Sequence, residues 1–383
     1  MLENIKNFFK LNSKELKIIF VSFIFTRLVF TLVFTIGYYY LPKGKDVYEN
    51  VHRALDIIFQ FNDASIFTHI AQNGYSGSYY AFAPLYPLAI KYLSPLFLGS
   101  YQWAAFFISN ISFIFVMVLL FYYLISYIGK TASMYAVIGL IVYPASHYNT
   151  ICYSEALYFL MVLISVLSYK NKDYMIASLF CGLSILTRIN GLALLAGYGL
   201  DMLINYLKEK NYNFDSIILL LKKGLSFLAV VMAVYCLWLL YMYAKTDNAF
   251  YFLEAQKTWS RETPSPLIIP FIIKLFIRIF QFPALRTTLE FICPMTMLIL
   301  SILSIKKVPI YFSFYSIFTI LMPLSTSSTW SLTRLPMVAL AAYAFIGIKS
   351  EQSKKFRIIW FSISFVLFVI FVGTMGQLRA TFI

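Results

Sequence analysis

Residues 101–127 read YQWAAFFISNISFIFVMVLLFYYLISY, 27 positions without one charged side chain. A helix needs about 20 predominantly apolar residues to cross the hydrocarbon of a bilayer, so this stretch is long enough to span. Outward from it, further apolar runs fall near 17–40, 131–146, 154–169, 174–188, 190–207, 217–244, 286–305, 308–324, 334–348 and 357–375. Backbone inside a bilayer has no water to bond with and must satisfy its own N–H and C=O groups, which for so many separate runs means helices. The expected fold is therefore an all-α polytopic membrane protein of about 11 transmembrane helices. Composition agrees, since 61% of the 383 residues are hydrophobic and only 12% are charged, against about 25% charged in soluble domains.

A formal net charge of +15 could point to nucleic acid, but its distribution argues for a lipid bilayer instead. Lys6, Lys10, Lys14 and Lys17 lead the chain, and Lys130, Lys170, Lys172, Lys208, Lys210, Lys222, Lys223, Lys306, Lys307, Lys349, Lys354, Lys355 and Arg357 fall at every second polar break. Basic residues mark cytoplasmic loops. This puts the N-terminus in the cytoplasm and segments 41–80, 146–154, 245–265 and 325–333 on the opposite side. The first apolar run exceeds a signal-peptide core of about 7–15 residues and reads as a retained span.

Two stretches do not fit as spans. Residues 83–100 carry Pro84, Pro87 and Pro95, and residues 266–282 carry Pro270, Lys274 and Arg278, so both are expected as interfacial or re-entrant helices on the outer face. Lys274 and Arg278 share one helix edge at i and i+4. Cys152, Cys181, Cys236 and Cys293 show no paired spacing and read as packing residues; with His52, His69 and His147 they form no ligand pattern, so no metal is expected. No repeat divides the chain, which reads as one domain, 1–383, with outer loops at 41–100 and 245–282.

Ionisable residues at the mouth of a helical bundle are functional candidates. Asp63 leads them. Phe59, Ile66, Phe67 and Ile70 fall at near-helical spacing around it, which predicts a short amphipathic helix on the membrane surface with Asp63 near its start. From pattern alone, a first-turn carboxylate favoured by the helix dipole explains Asp63 as well as catalysis does.

The string Asp63-Ala64-x-x-Phe67-x-x-Ile70-Ala71-x-x-Gly74-Tyr75, then Ala81-Phe82-x-Pro84-Leu85-Tyr86-Pro87, resembles the signature of the PIG-V family. Tyr143-Pro144-Ala145-Ser146 with Tyr153-Ser154-Glu155-Ala156-Leu157 is similar to a further family segment, as are Leu186-Thr187-Arg188-Ile189-Asn190-Gly191, Gln256-x-x-Trp259-x-Arg261 and Ser331-x-x-Arg334. The matches run in order from Arg27 to Arg334. The chain departs from the family at Asn62, where Trp is usual, and at Leu335, where an aromatic is usual.

The resemblance implies a GT-C bundle whose active site faces away from the cytoplasm. It implies an inverting α-mannosyltransferase that uses polyprenyl (dolichyl) phosphate mannose and passes the sugar to a glycan or glycolipid acceptor, as in assembly of glycosylphosphatidylinositol (GPI) anchors. Under it, Asp63 is the general base and Arg188, Arg261 and Arg334 bind the donor phosphate. Glu155, Asn190, Tyr75, Tyr86, Gln256 and Trp259 bind substrate, and no cofactor is needed beyond the lipid-linked sugar. The membrane is the plasma membrane for a prokaryotic source and the endoplasmic reticulum for a eukaryotic one; a small membrane subunit is left open. The alternative is a multi-span transporter or flippase of a lipid-linked sugar. Against it, no broken-helix pair recurs in two halves, as transporters built on inverted repeats have.

Overall fold

The computed structural model describes residues 2–39, 55, 58–208, 214–259, 265 and 267–376, and helices are the regular structure among them. The chain opens with α1 (Leu2–Leu11) and α2 (Ser13–Tyr39). Two short helices follow, α3 (Asp63–Asn73) and α4 (Leu85–Leu93), then α5 (Tyr101–Ile128), α6 (Lys130–Ile141), α7 (Glu155–Lys170), α8 (Tyr174–Thr187) and α9 (Leu192–Lys208). The rest is α10 (Phe214–Thr246), α11 (Tyr251–Lys257), α12 (Ile268–Gln281), α13 (Leu285–Leu303), α14 (Ile310–Ser325), α15 (Leu340–Gln352) and α16 (Lys354–Gly376).

Helices α2, α5, α10, α13 and α16 are long and apolar enough to cross a membrane. The six others that answer to expected spans, α6, α7, α8, α9, α14 and α15, have 12 to 17 residues. Their shortness has local causes that the apolar runs conceal. Helix α6 stops at Ile141, five residues before the expected end, because the residue before Pro144 is pushed away from the α region. Ser146 Oγ then donates to the Ile141 carbonyl at 2.6 Å, which satisfies an acceptor at the helix end. The chain turns inward here, and every residue from 141 to 159 is buried. Likewise the run expected at 334–348 starts as helix only at Leu340, after a buried 3₁₀ turn over Leu335–Val338 that contains Pro336. Two deep turns thus enter the bundle from the same end.

The basic residues gather at the other end. Lys130 Nζ donates to the Leu11 carbonyl at 2.9 Å, Lys170 Nζ to Ser126 Oγ at 2.6 Å, and Arg357 to the Tyr135 hydroxyl at 2.7 Å. Close packing of α6 on α15 needs Gly347, whose Cα abuts the Ala132 carbonyl where a Cβ would clash. Small residues at helix contacts let backbones approach in this way.

The two non-spanning stretches are short helices. Helix α4 buries Tyr86 and Ile90 and exposes Leu88 and Tyr92, while α12 buries Phe271 and Leu275 and exposes Ile269, Ile273, Phe276 and Phe280. Apolar exposure on that scale fits helices lying against lipid. The polar edge of α12 has a partner in α13: Arg278 sits 3.1 Å from Glu290, which Arg286 also reaches at 2.9 Å. Helix α1 was not foreseen from sequence.

Candidate active site

Helix α3 is fixed before its first polar side chain is considered. Phe59 packs edge-on against Trp103, the Tyr153 hydroxyl donates to the Phe61 carbonyl at 3.0 Å, and Ala64, Phe67, Ile70 and Ala71 are buried. Asn62 takes a positive φ of 47° just before the helix, a region that Asn tolerates better than most side chains. Asp63 follows in the first turn on the edge facing a cavity.

Its carboxylate is held by a partner from the far end of the chain. Asp63 Oδ2 accepts from Arg334 Nη2 at 2.9 Å. Arg334 is 4% exposed and its guanidinium lies 5.0 Å from the ring centre of Tyr148 and 5.1 Å from that of Tyr153. Such placement over ring faces is a cation–π arrangement. Arg334 Nε is 3.4 Å from Glu155 Oε1, which lies 2.8 Å from Arg188 Nη1. Arg188 Nη1 also donates to Ser154 Oγ at 3.1 Å. Two carboxylates and two guanidiniums therefore alternate in a chain, Asp63–Arg334–Glu155–Arg188, that is neutral as a whole. Burial works against the Arg334 charge, but the carboxylates of Asp63 and Glu155 outweigh it and raise its pKa above the ordinary arginine value.

Arg188 and Asn190 owe their positions to a tight fold-back between α8 and α9. Arg188 is extended, Ile189–Gly191 forms one 3₁₀ turn, and a Cβ on Gly191 would lie 2.5 Å from the Ile185 amide nitrogen. Asn190 Nδ2 donates to Thr319 Oγ1 on α14 at 3.3 Å.

These groups open onto a cavity of about 470 Å³, within the range of small-molecule sites. Of the residues expected from sequence, Asp63, Arg188, Asn190, Gln256, Trp259 and Arg334 line it. Trp259 Nε1 donates to the Ser78 carbonyl at 3.2 Å and its ring meets Phe82 edge-on. Glu155 stands behind the two arginines, 1% exposed, with no face on the cavity. Two aromatic expectations are corrected. Tyr86 is fully buried, hydrogen-bonds the Ala105 carbonyl and Ser109, and packs on Phe67, so it anchors α3 and α4 to α5 and touches no cavity. Tyr75 donates to the Phe82 carbonyl at 3.1 Å and packs on Tyr80 and Trp238 one layer behind the wall. Arg261 lies outside the described residues.

The sequence reading assigned no site role to Tyr153 or Phe252, although both fall in the family segments, and it missed Tyr148 beside Arg334 and the wall residues Tyr235, Trp238 and Trp330. Tyr235 and Trp238 are three apart on one helical face, a signal present in the sequence but drowned by 38 Phe, 30 Tyr and 5 Trp. Among the described residues no group of three or more His, Cys, Asp or Glu is placed to hold a metal ion.

Fold and site together define a polytopic membrane protein with an acid–arginine centre opening into a cavity at one end of its helical bundle. The chain belongs to the PIG-V mannosyltransferase family, whose model matches residues 41–264, more than half of the chain. That match stops before Arg334, whose place in the site comes from geometry. No curated protein matches the chain. Among solved structures it is similar to ArnT from Cupriavidus metallidurans bound to undecaprenyl phosphate, at 11% identity and a TM-score of 0.48 over 92% of this chain and 76% of that one. It is also similar to the oligosaccharyltransferase AglB from Archaeoglobus fulgidus, in complex with an inhibitory peptide and a dolichol phosphate, at 10% identity and a TM-score of 0.49. That similarity covers 98% of this chain but 56% of the archaeal one, so the chain spans little more than half of that protein's length.

Proposed function

We propose that this chain is an inverting glycosyltransferase that moves mannose from a polyprenyl phosphate to a hydroxyl of a lipid-linked glycan or other envelope acceptor of GPI-precursor type. Family membership supports the sugar-transfer chemistry, and the observation that carries it to residues is the Asp63 carboxylate, held by Arg334 at the edge of the cavity. Asp63 takes the proton from the acceptor hydroxyl. The freed oxygen attacks the sugar C1, the bond from C1 to the phosphate oxygen breaks, and its electron pair leaves with the lipid phosphate. One displacement inverts the anomeric centre and needs no carboxylate nucleophile.

Arg334 aims Asp63. Arg188, 13% exposed against 4% for Arg334, has the freer access to a leaving phosphate, and a guanidinium suits phosphate oxygens by its charge and forked donors. Trp259 and Gln256 supply an aromatic face and an amide for a sugar ring. The whole chain acts as one transmembrane domain with the site away from the cytoplasm, in the plasma membrane of a prokaryote or the endoplasmic reticulum of a eukaryote.

The test gives purified protein radiolabelled polyprenyl phosphate mannose and a lipid extract as acceptor. Label should enter a glycolipid, and Asp63→Asn should lower transfer by about 10²–10⁴-fold, the usual contribution of a general base. Full transfer by a folded Asp63→Asn protein refutes the assignment. Movement of sugar across vesicles without transfer would instead make the chain a transporter.

A further inference from the structure

Arg27 is a half-buried cation for which no described residue supplies a counter-charge. It lies 14 residues into α2, about 20 Å from the Ser13 end at 1.5 Å per residue, well inside the apolar run. Its Nε and Nη2 are buried and without a hydrogen-bond partner, and no carboxylate among the described residues comes within ion-pair distance. Among the described residues ring faces meet it: the guanidinium carbon is 4.6 Å from the centre of Phe23 and 5.5 Å from that of Phe113. An unpaired charge at such depth is strongly unfavourable, and arginines in spans are by default functional.

Its surroundings are unusually rich in unsatisfied polar atoms. The deep turn that follows α6 lies alongside, within electrostatic reach through His147. In that turn His147 Nδ1, Asn149 Oδ1 and Thr150 Oγ1 are all buried and unpartnered. Asn110, one helical turn before Phe113 on α5, donates to the Thr150 carbonyl at 2.8 Å, which brings this turn to the same part of α5 as Arg27. His147 packs on Phe368 and Phe371 of α16. Burial pushes its imidazole down to about 3 against an opposing hydrogen bond to the Pro144 carbonyl, and the charges of Arg334 and Arg27 act with burial. A neutral ring of this kind gives or takes a hydrogen bond according to its tautomer.

None of these groups lines the 470 Å³ cavity. His147 feels the charge of both arginines, and its ring centre is 4.3 Å from that of Tyr148, which lies against Arg334. The Asp63–Arg334–Glu155–Arg188 chain is already neutral, so Arg27 is positive charge that the described residues leave uncompensated.

We infer that Arg27, with the polar atoms of residues 147–150 beside it, forms a second lipid-phosphate site, entered from the bilayer between α2, α5 and α16 and separate from the sugar-transfer cavity. A lipid phosphate is the anion that reaches this depth without bringing its own solvent, since its chains occupy the surrounding hydrocarbon while the headgroup meets the guanidinium. The phosphate belongs either to a polyprenyl phosphate or to an anionic diacyl lipid. The inference stands on the uncompensated charge and does not depend on sugar transfer being the reaction.

Native mass spectrometry and thermal unfolding of the detergent-purified full chain, titrated with undecaprenyl phosphate, phosphatidylglycerol or neutral diacylglycerol, test it. Arg27→Gln should weaken retention of a phosphate lipid by roughly tenfold or more, as loss of a charged hydrogen-bond donor does, and abolish the rise in Tm which that lipid gives the unmodified protein. Arg27→Lys should keep most of both effects, and diacylglycerol should do nothing. Loss confined to undecaprenyl phosphate assigns the site to the polyprenyl lipid, and loss confined to phosphatidylglycerol assigns it to a diacyl lipid. Lipid retention reads this site and radiolabel transfer reads the other, so failure of this site and failure of the transferase reading give different results. Should Arg27→Gln not fold, a photoactivatable phosphate lipid on the unmodified protein decides: labelling of peptides from α2, α5 or residues 142–153 supports the site. Labelling confined to cavity-lining residues, or unchanged binding by a folded Arg27→Gln protein, overturns it.

Discussion

Removing Asp63, Arg334 or both isolates the contact on which the proposed chemistry turns. The two charged groups meet at 2.9 Å, with Arg334 4% and Asp63 20% exposed. Unit charges about 4 Å apart attract by about 4 kcal/mol at an effective dielectric constant near 20. Desolvation of the buried arginine and the solvent reaching Asp63 take part of that back, so a coupling of roughly 1–3 kcal/mol is expected in a double-mutant cycle. The cycle uses Asp63→Asn, Arg334→Gln and the double variant, with unfolding followed by intrinsic fluorescence in detergent and transfer followed by radiolabel. Arg334→Gln should be more destabilised than Asp63→Asn, because it leaves Asp63 without its ion-pair partner and Glu155 with Arg188 alone, whereas Asp63→Asn leaves an arginine that still has Glu155. For transfer, the double variant should be no slower than Asp63→Asn, since an arginine that acts by aiming the base has nothing left to aim. Stability effects that add within about 0.5 kcal/mol would mean no coupling between the pair and would refute the reasoning.

Three further outcomes follow from the packing around the site. Gly191→Ala drives a methyl group to 2.5 Å from the Ile185 amide nitrogen and Ser184 Oγ, so overpacking of about 1–3 kcal/mol and displacement of Arg188 should lower both Tm and kcat/KM. Trp259→Ala should raise KM for the donor while Tyr86→Phe leaves KM unchanged and lowers stability by about 1 kcal/mol through the lost hydroxyl bonds, because only Trp259 faces the cavity. Turnover should survive EDTA, with the rate measured before and after chelation and addition of excess magnesium; a rate restored only by a divalent metal would contradict the charge-based account.

Helix order was legible because run length is a local quantity. What a run could not reveal was where helix ends inside it. Pro144 and Pro336 stop α-structure within apolar sequence, and the resulting turns carry Tyr148, Tyr153 and Arg334 down into the bundle. Asp63 was legible as a candidate, since a carboxylate at the mouth of an apolar bundle stands out. Its partner was not, because 271 residues separate the two and nothing local in Ser331-Leu332-Thr333-Arg334 names a carboxylate rather than a phosphate as its target. Tyr75 and Tyr86 failed for a different reason. Each sits in the same motif as Phe82, which does line the cavity, and which aromatic of three faces inward depends on the rotation of short helices packed on α5 and α10.

The pairing order also constrains how charge moves in the proposed reaction. A polyprenyl phosphate sugar arrives with one negative charge on its diester and leaves as a monoester with more, so the site must answer a charge that grows as the sugar departs. Arg334 lies against two adjacent tyrosine rings and is tied to Asp63, so moving it would disorder the base. Arg188 sits at the rim, holding Glu155 through the same Nη1 that bonds Ser154, and the rest of its guanidinium fork faces the cavity wall to which it contributes. The base and the leaving group are thus served by different arginines joined through one buried carboxylate. On that arrangement, Glu155→Gln should depress transfer without touching substrate, and Arg188→Lys, which keeps the charge but loses the fork, should weaken the phosphate contact while leaving the Asp63–Arg334 coupling intact; an equal loss of that coupling in Arg188→Lys would show that the four groups work as one unit instead.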